Sequence, residues 1–339
     1  EEHALRAVEA ARSAEEPGAL VRALLLRAQS GTLRRTLPDA LPILAEAMQV
    51  AAEHGLLREL CDAQTEYATE LCRQGRWTEA STEGKRALQH GEAAGAAGAV
   101  AVAHLNLADL LLRRGEWEQA GEHLENAWTL AERFDFPHIR VDVLVNRALL
   151  TWQRGEGGEV RKAAERALAQ AIDHGMAAAE HAARALLALT LLEEGAMEEA
   201  RRVLEASAEP EEQKHPTWSD DHELSIAARA RLLAHRGDPA SAARLLAAAL
   251  EEAAEPYARA LLELELARLV REEDPEDARR LARDASAVLS RLGATPLLLR
   301  AERLLIDAAD TATIPAEQRS QRLVSAPSPP GGSRSAAAR

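Results

Sequence analysis

Apolar and polar residues alternate between residues 60 and 74 with the spacing of a helix. The apolar or small positions are Leu60, Ala63, Tyr67, Ala68 and Leu71. Steps of three and four residues predict an amphipathic helix with one buried stripe. Gly75 follows, and a second helical pattern runs from about Thr78 to Ala93 before Gly95. Because glycine readily adopts the left-handed conformation that ends a helix, we predict two antiparallel helices joined by a tight turn.

The pattern repeats along the chain. Gly75, Gly115, Gly155 and Gly195 lie 40 residues apart. Two ladders of alanines keep the same period, Ala7, Ala47, Ala87, Ala127 and Ala167 in one and Ala28, Ala68, Ala108, Ala148 and Ala188 in the other. A fixed period of this length is typical of a solenoid, in which each unit packs only on its neighbours. We therefore predict one elongated domain and not two globular ones.

The composition limits the fold class and the range of partners. Hydrophobic residues make up 47% of the chain but aromatic residues only 3%, which favours a Leu and Ala core between closely packed helices. The net charge is −14 with the two signs interleaved, whereas a nucleic-acid partner requires a basic stripe. The sequence contains no long apolar run and no signal peptide pattern. We expect a cytoplasmic protein with no direct contact to nucleic acid or membrane.

The spacing within each unit is more specific than the period. An alanine lies seven residues before the turn glycine, as Ala68 does, and others lie five and twelve residues after it, as Ala80 and Ala87 do. The bare period also suits HEAT or armadillo units, but this internal spacing resembles the tetratricopeptide repeat (TPR), whose usual length is about 34 residues. The longer helices are similar to those of MalT-like regulators. The resemblance implies an all-α, right-handed α-α superhelix of about seven TPR-like helix pairs over residues 1–310.

Both ends of the repeat region carry further expectations. Ala7 has the phase of a second helix, so we expect the chain to start within a repeat and to be a fragment of a longer protein. Residues 282–294 and 299–304 resemble the closing repeat of large bacterial LuxR-type regulators, which implies a sensor or scaffold module of a signalling or transcriptional regulator. Residues 311–339 are rich in Ser, Pro, Gly and Ala, and we expect this tail to be disordered.

Sequence signatures of catalysis are missing, and so are those of a phosphate-binding loop and of zinc ligation. We therefore expect no enzymatic activity, no cofactor and no metal. The cluster between Lys214 and Glu223 contains two histidines and two aspartates, but we interpret it as a longer loop that caps the next helix. Cys61 and Cys72 are 11 residues apart on one predicted helix, too far for a disulfide, and are expected to be free thiols.

Candidate binding residues come from the register of the repeat. In TPR superhelices the first helix of each pair faces a concave groove, and this register places Asn106 and Asn146 there, one period apart. A side-chain amide both donates and accepts, so each Asn could hold the backbone of an extended peptide; the alternative is that each ties neighbouring helices together. The remaining groove positions are Asp109, Leu112, Arg113, Leu149, Trp152 and Gln153. Trp152 would anchor a ligand side chain, whereas Trp77 and Trp117 are interpreted as packing between helices.

Two classes of function remain open. The first is a non-catalytic scaffold or sensor that binds a protein or peptide segment in the groove. The second is a small-molecule effector domain coupled to a switch ATPase that this sequence lacks; a free-standing adaptor is also open. A closed apolar pocket would favour the effector, and an open channel along the superhelix would favour the peptide.

Overall fold

The computed structural model describes residues 2–33, 39–206 and 222–312. In these ranges the chain forms sixteen α-helices and no β-strand. The helices are α1 (Glu2–Ser13), α2 (Pro17–Leu33), α3 (Leu41–Glu53), α4 (Leu57–Arg73), α5 (Trp77–Ala93), α6 (Ala97–Arg114), α7 (Trp117–Arg133), α8 (Pro137–Gln153), α9 (Gly157–Asp173), α10 (Ala177–Glu193), α11 (Met197–Glu205), α12 (His222–His235), α13 (Pro239–Glu252), α14 (Pro256–Val270), α15 (Pro275–Leu292) and α16 (Thr295–Ala312).

The helices stack as consecutive pairs. After α1, seven pairs follow from α2/α3 to α14/α15, and α16 comes last. Each first helix also packs on the first helix of the next pair, as α4 does on α6 and α6 on α8. The first helices therefore form one continuous inner layer. The predicted all-α superhelix of about seven TPR-like pairs is confirmed.

From Gly55 to Gly195 a residue with positive φ recurs every 20 residues, at the turns. At Gly75 the φ angle is 76°, the glycine N–H donates to Cys72 O at 3.0 Å, and the Arg76 N–H donates to Leu71 O at 2.8 Å. These two bonds close the end of α4 as a Schellman motif. Asp135 occupies the same position in its turn with φ 53°, although an L-residue adopts this conformation only at a cost. The turn geometry therefore accounts for the glycine ladder; Asp135 and Glu15, the latter with φ 55°, are the described non-glycine residues that adopt this conformation.

The alanine ladders lie where helices cross. Ala87, Ala127, Ala148 and Ala188 have no exposed surface. In α5 the helices are so close that even alanine would not fit at Gly91. A Cβ there would lie 2.8 Å from Cγ2 of Val100, closer than packed atoms tolerate. The core consequently consists of Leu, Val and Ala between closely spaced backbones, as the composition predicted.

Some predictions concern residues at or beyond the edges of the described ranges. Helix α16 continues to Ala312, two residues past the expected domain boundary at 310, and the rest of the expected tail lies outside the described residues. Most of the cluster between Lys214 and Glu223 also lies outside them. Cys61 and Cys72 are free thiols, the first of them buried. None of the described helices combines the length and apolarity needed to cross a bilayer.

The superhelix curves back on itself, which the sequence did not predict. Helix α16 contacts α6, and the rings of Trp77 and Tyr257 lie 5.6 Å apart between their centroids. A Cβ on Gly115 would lie 2.9 Å from Cδ of Pro296. Trp77 thus packs not only within its own repeat but also against the C-terminal repeats. These contacts cross the concave groove and divide it.

Candidate functional site

Seven of the eight predicted groove positions line two adjacent cavities on the inner layer. Cavity 1, of about 440 Å³, lies between α6 and α8 on one side and α12, α14 and α16 on the other. Cavity 2, of about 460 Å³, lies among α4, α6, α8 and α10. The predicted residues are distributed as Leu149, Trp152 and Gln153 in cavity 1, Asn106 and Asn146 in cavity 2, and Asp109 and Arg113 in both. Leu112, in contrast, has no exposed surface and belongs to the core.

Arg113 lies where the two cavities meet and clasps the superhelix. Its Nε donates to Oδ2 of Asp109 at 3.0 Å and its Nη1 donates to Oε1 of Glu255 at 2.7 Å. The guanidinium also lies 5.0 Å from the centre of the Tyr257 ring. Burial alone would lower the pKa of Arg113, but Asp109 and Glu255 raise it well above its usual value. Arg113 is therefore a fixed cation that holds α6 to the start of α14.

A second group of arginines lines cavity 1, and the sequence analysis missed it. Arg231 of α12 donates two hydrogen bonds to the buried Glu265 carboxylate, at 3.0 and 2.7 Å. Arg268 donates to the same carboxylate at 3.3 Å, and Arg300 of α16 also donates to it. We call Arg231, Arg268 and Arg300 the arginine cluster. Arg231 lies 34 residues before Glu265, and Arg300 lies 35 residues after it. Both separations are close to one repeat, and this spacing was the signal available in the sequence.

The arginine cluster carries more positive charge than Glu265 alone balances, and the further carboxylates Glu193 and Glu223 line the same cavity. Burial would raise the pKa of Glu265, but Arg300 and Arg231 hold it far below its usual range, so the carboxylate is ionised. Burial lowers the pKa of Arg268, and Arg231 and Arg300 lower it further because the cations repel each other. Glu193, 3.5 Å from Arg231, keeps 53% of its side chain exposed. Screening by solvent weakens this pair, and the side chains of Arg268 and Arg300 remain partly exposed.

Asp142 lies in cavity 2, on the inner face of α8 one turn before Asn146. Its side chain makes no hydrogen bond and no ion pair with any described residue. Burial raises the pKa of Asp142 to about 6, and no other group contributes to the shift. An ionised carboxylate shielded from water without a partner is destabilising. Asp142 therefore lacks, within the described protein, the cation that would offset its burial.

The two asparagines differ in what they contact. Nδ2 of Asn106 donates to Oγ1 of Thr69 at 3.0 Å, so this side chain ties α6 to α4. Asn146 makes no side-chain hydrogen bond to any described residue and lines cavity 2. Asn106 therefore ties neighbouring helices together, which was the alternative to ligand binding, while the amide of Asn146 is available to a ligand.

Trp152 forms part of the wall of cavity 1. It is half-buried against the main core and keeps part of its ring at the cavity surface. Its neighbour Gln153 accepts a hydrogen bond at Oε1 from Nε1 of Trp117 at 3.0 Å, which fixes the end of α8. Trp152 thus has the partial exposure that an anchoring residue needs.

The two cavities together are neither a sealed apolar pocket nor an unbroken channel. Both are partly open to solvent, and both combine apolar with charged walls. Among the described residues, no three potential metal ligands of the His, Cys, Asp or Glu type lie close enough to hold an ion. What the arrangement offers is a shaped, charged and partly apolar surface, which suits recognition.

The sequence matches no protein-family model and no curated protein. The fold, in contrast, resembles solved structures. A Rap protein complexed with competence and sporulation factor has 14% identity and a TM-score of 0.56, with 87% of this chain and 86% of that chain covered. Yeast Tom70 has 14% identity and a TM-score of 0.48, and the match covers 96% of this chain but only 62% of Tom70. A tetratricopeptide repeat protein from Parabacteroides merdae has 18% identity and a TM-score of 0.47, with coverages of 85% and 98%. The chain shares the helical-repeat fold of the Rap protein.

Proposed function

We propose that this protein is a non-catalytic binding module that takes up a short segment of a partner protein in its inner groove. The observation that carries the proposal is the inner face of α8, where Asp142, Asn146 and Trp152 line the two cavities in succession. Ten residues of helix between Asp142 and Trp152 correspond to a rise of about 15 Å. An extended peptide covers that length with about five residues.

The side chains along this face have complementary roles. Asn146 supplies one donor group and one acceptor to the peptide backbone, because its amide has no partner among the described residues. Trp152 supplies an apolar surface to a peptide side chain, next to Leu224, Leu261 and Leu297 in cavity 1. Large aromatic residues at the centre of a contact contribute most of the binding free energy. Asp109 and Arg113, which are already paired, line both cavities where they adjoin.

The wider context of the module is part of the proposal. The resemblance of residues 282–304 to the closing repeat of LuxR-type regulators supports a role as a sensor or scaffold of a bacterial signalling regulator in the cytoplasm. The Rap structure, which has a similar fold, is a complex with competence and sporulation factor, and a similar capture of a signalling partner would suit this groove. Sequencing the reading frame on both sides of the segment tests this context: an adjoining switch ATPase supports it, and a short frame without one contradicts it.

A small-molecule effector is the second candidate. Cavities of about 440 and 460 Å³ fall within the range of small-ligand sites, which favours it. The contacts that close the superhelix also limit the length of any peptide. An effector would fill one cavity, whereas a peptide reaches both, so substitutions in the two cavities distinguish the candidates.

The test is a selection of random heptapeptides displayed on phage, followed by affinity measurements with synthetic peptides. We expect selected peptides to bind the protein. Asn146→Ala and Trp152→Ala should each weaken binding at least tenfold, while both variants stay folded at the temperature of the binding measurement. The matched controls are Asn126→Ala and Trp128→Ala on α7, whose residues line neither cavity. Absence of any selected peptide, or equal losses in the control variants, would refute the proposal. Weakening by Trp152→Ala alone would favour the effector.

A further inference from the structure

The charge that cavity 2 offers to a ligand comes from Asp142. Every other carboxylate of this cavity has a partner: Asp109 and Glu255 pair with Arg113, and Glu66 accepts a hydrogen bond from Gln29. Asp142 has none among the described residues, and apolar side chains such as Val145 and Ala182 line the same cavity. A cationic group entering cavity 2 would find one negative charge that no described residue balances.

Cavity 1 offers cationic groups, although Glu193 and Glu223 also line it. The arginine cluster surrounds the buried carboxylate of Glu265, and the guanidinium groups come from three different helices. Arg268 keeps 37% of its side chain exposed and Arg300 keeps 26%. Guanidinium groups that face a cavity present N–H donors in the planar geometry that carboxylates accept. An anionic group entering cavity 1 would therefore find the partly exposed guanidinium groups of Arg268 and Arg300.

The two subsites lie in adjacent cavities that share Asp109 and Arg113 in their linings. Asp142 and Trp152 are separated by a rise of about 15 Å along α8, and Trp152 shares cavity 1 with the arginine cluster. We propose that the segment bound in the groove is dipolar, with a cationic group at Asp142 and a carboxylate at the arginine cluster, separated by about four extended residues. This inference rests on the proposed function and adds the charge and the orientation of the ligand.

The experiment uses defined peptide mixtures. Hexapeptides with acetylated and amidated ends are prepared as Lys-x4-Glu, Glu-x4-Lys, Lys-x4-Gln and Gln-x4-Gln, where x4 is a random mixture, so that the fixed side chains supply the compared charges. Binding to the full chain is measured by competition against a peptide from the phage selection. We expect one of the two dipolar mixtures to bind at least tenfold better than the neutral mixture and the reversed one. Lys-x4-Gln alone controls for general attraction to the acidic protein.

Variants assign each charge to its subsite. Asp142→Asn should abolish the advantage of Lys over Gln, and Asp142→Lys should transfer the preference at that end to Glu. Arg268→Gln should abolish the advantage of Glu at the other end, with Arg300→Gln as a second variant if the first unfolds. Asp173→Asn, an exposed carboxylate at the end of α9, is the matched control and should leave every preference unchanged.

The outcomes separate this inference from the function on which it rests. Equal binding of the neutral and dipolar mixtures, or a Lys preference that survives Asp142→Asn, would overturn the dipolar ligand while peptide binding stands. If neither the phage selection nor any mixture yields binding, the proposed function itself fails, and the inference fails with it.

Discussion

Replacing Asp142 with Asn should make the protein more stable at neutral pH. The carboxylate is largely buried, none of the described residues pairs with it, and burial raises its pKa from 3.8 to about 6. A shift of about two units corresponds to about 3 kcal/mol, at 1.36 kcal/mol per unit. Because the pKa in the folded state is the higher one, the stability contributed by the protonated carboxyl is fully present below about pH 4 and is lost as the pH rises through 6. Asn retains the shape without the charge, so we expect Asp142→Asn to gain about 2–3 kcal/mol above pH 7 and nothing at pH 4.

The assay is thermal and urea unfolding followed by circular dichroism at pH 4.0 and pH 7.5. Asp109→Asn provides a contrast on the neighbouring inner helix, because Asp109 is paired with the buried Arg113 and its neutralisation should destabilise the protein by about 1–3 kcal/mol. Exposed Asp173→Asn should change stability by less than about 0.5 kcal/mol at either pH. If Asp142→Asn is less stable than the wild type at pH 7.5, or gains equally at both pH values, then Asp142 has a partner and the cation subsite loses its physical basis. A gain confined to neutral pH is typical of a residue kept for binding at the expense of stability.

Three further predictions concern other buried groups. Burial and the neighbouring His123 lower the pKa of His104 to about 4, so stability that is present above pH 6.5 is lost as the pH falls towards 4. His104→Gln should reduce this acid-induced loss, measured by urea unfolding at pH 7 and pH 4.5. An unchanged loss in the variant would contradict the prediction. Glu265→Gln leaves the arginine cluster without its counter-charge and should cost about 3–5 kcal/mol of unfolding free energy; a loss below about 1 kcal/mol would show that solvent already balances these charges. Asp135→Gly removes the left-handed strain of an L-residue at a turn and should gain about 0.5–1 kcal/mol, whereas the same variant would be neutral or worse if that residue were unstrained.

The sequence predicted the repeating part of the fold because close helix packing dictates it. Only glycine fits the left-handed turn without strain at Gly75, and only small residues fit where helices cross, as at Ala148, so both recur with the period. The inner face of the first helices follows from the same register. This is why Asn146 and Trp152 could be placed in the groove from the sequence, and why the structure finds both beside cavities.

The curvature of the superhelix could not be predicted from the sequence. It is the sum of small rotations between successive pairs, and no residue pattern records that sum. The clasp between Arg113 and Glu255 joins residues 142 positions apart, so neither partner marked the other in the sequence. The arginine cluster was missed for a related reason: the period shortens in the C-terminal repeats, and the register of the earlier repeats does not apply there. Asp142 shows no signal in the sequence because its lack of a partner is a property of the folded protein.

The central claim is that a peptide lies along the inner face of α8. It is tested most directly by placing the photo-reactive residue p-benzoylphenylalanine at position 146 and irradiating the protein with a peptide from the phage selection. The covalent products are then located by mass spectrometry. The same residue at position 128 on α7 is the control. The account predicts crosslinks to the peptide from position 146 and none from position 128. Crosslinks from position 128 alone, from a protein that still binds the peptide, would place the binding site outside the groove and contradict the account.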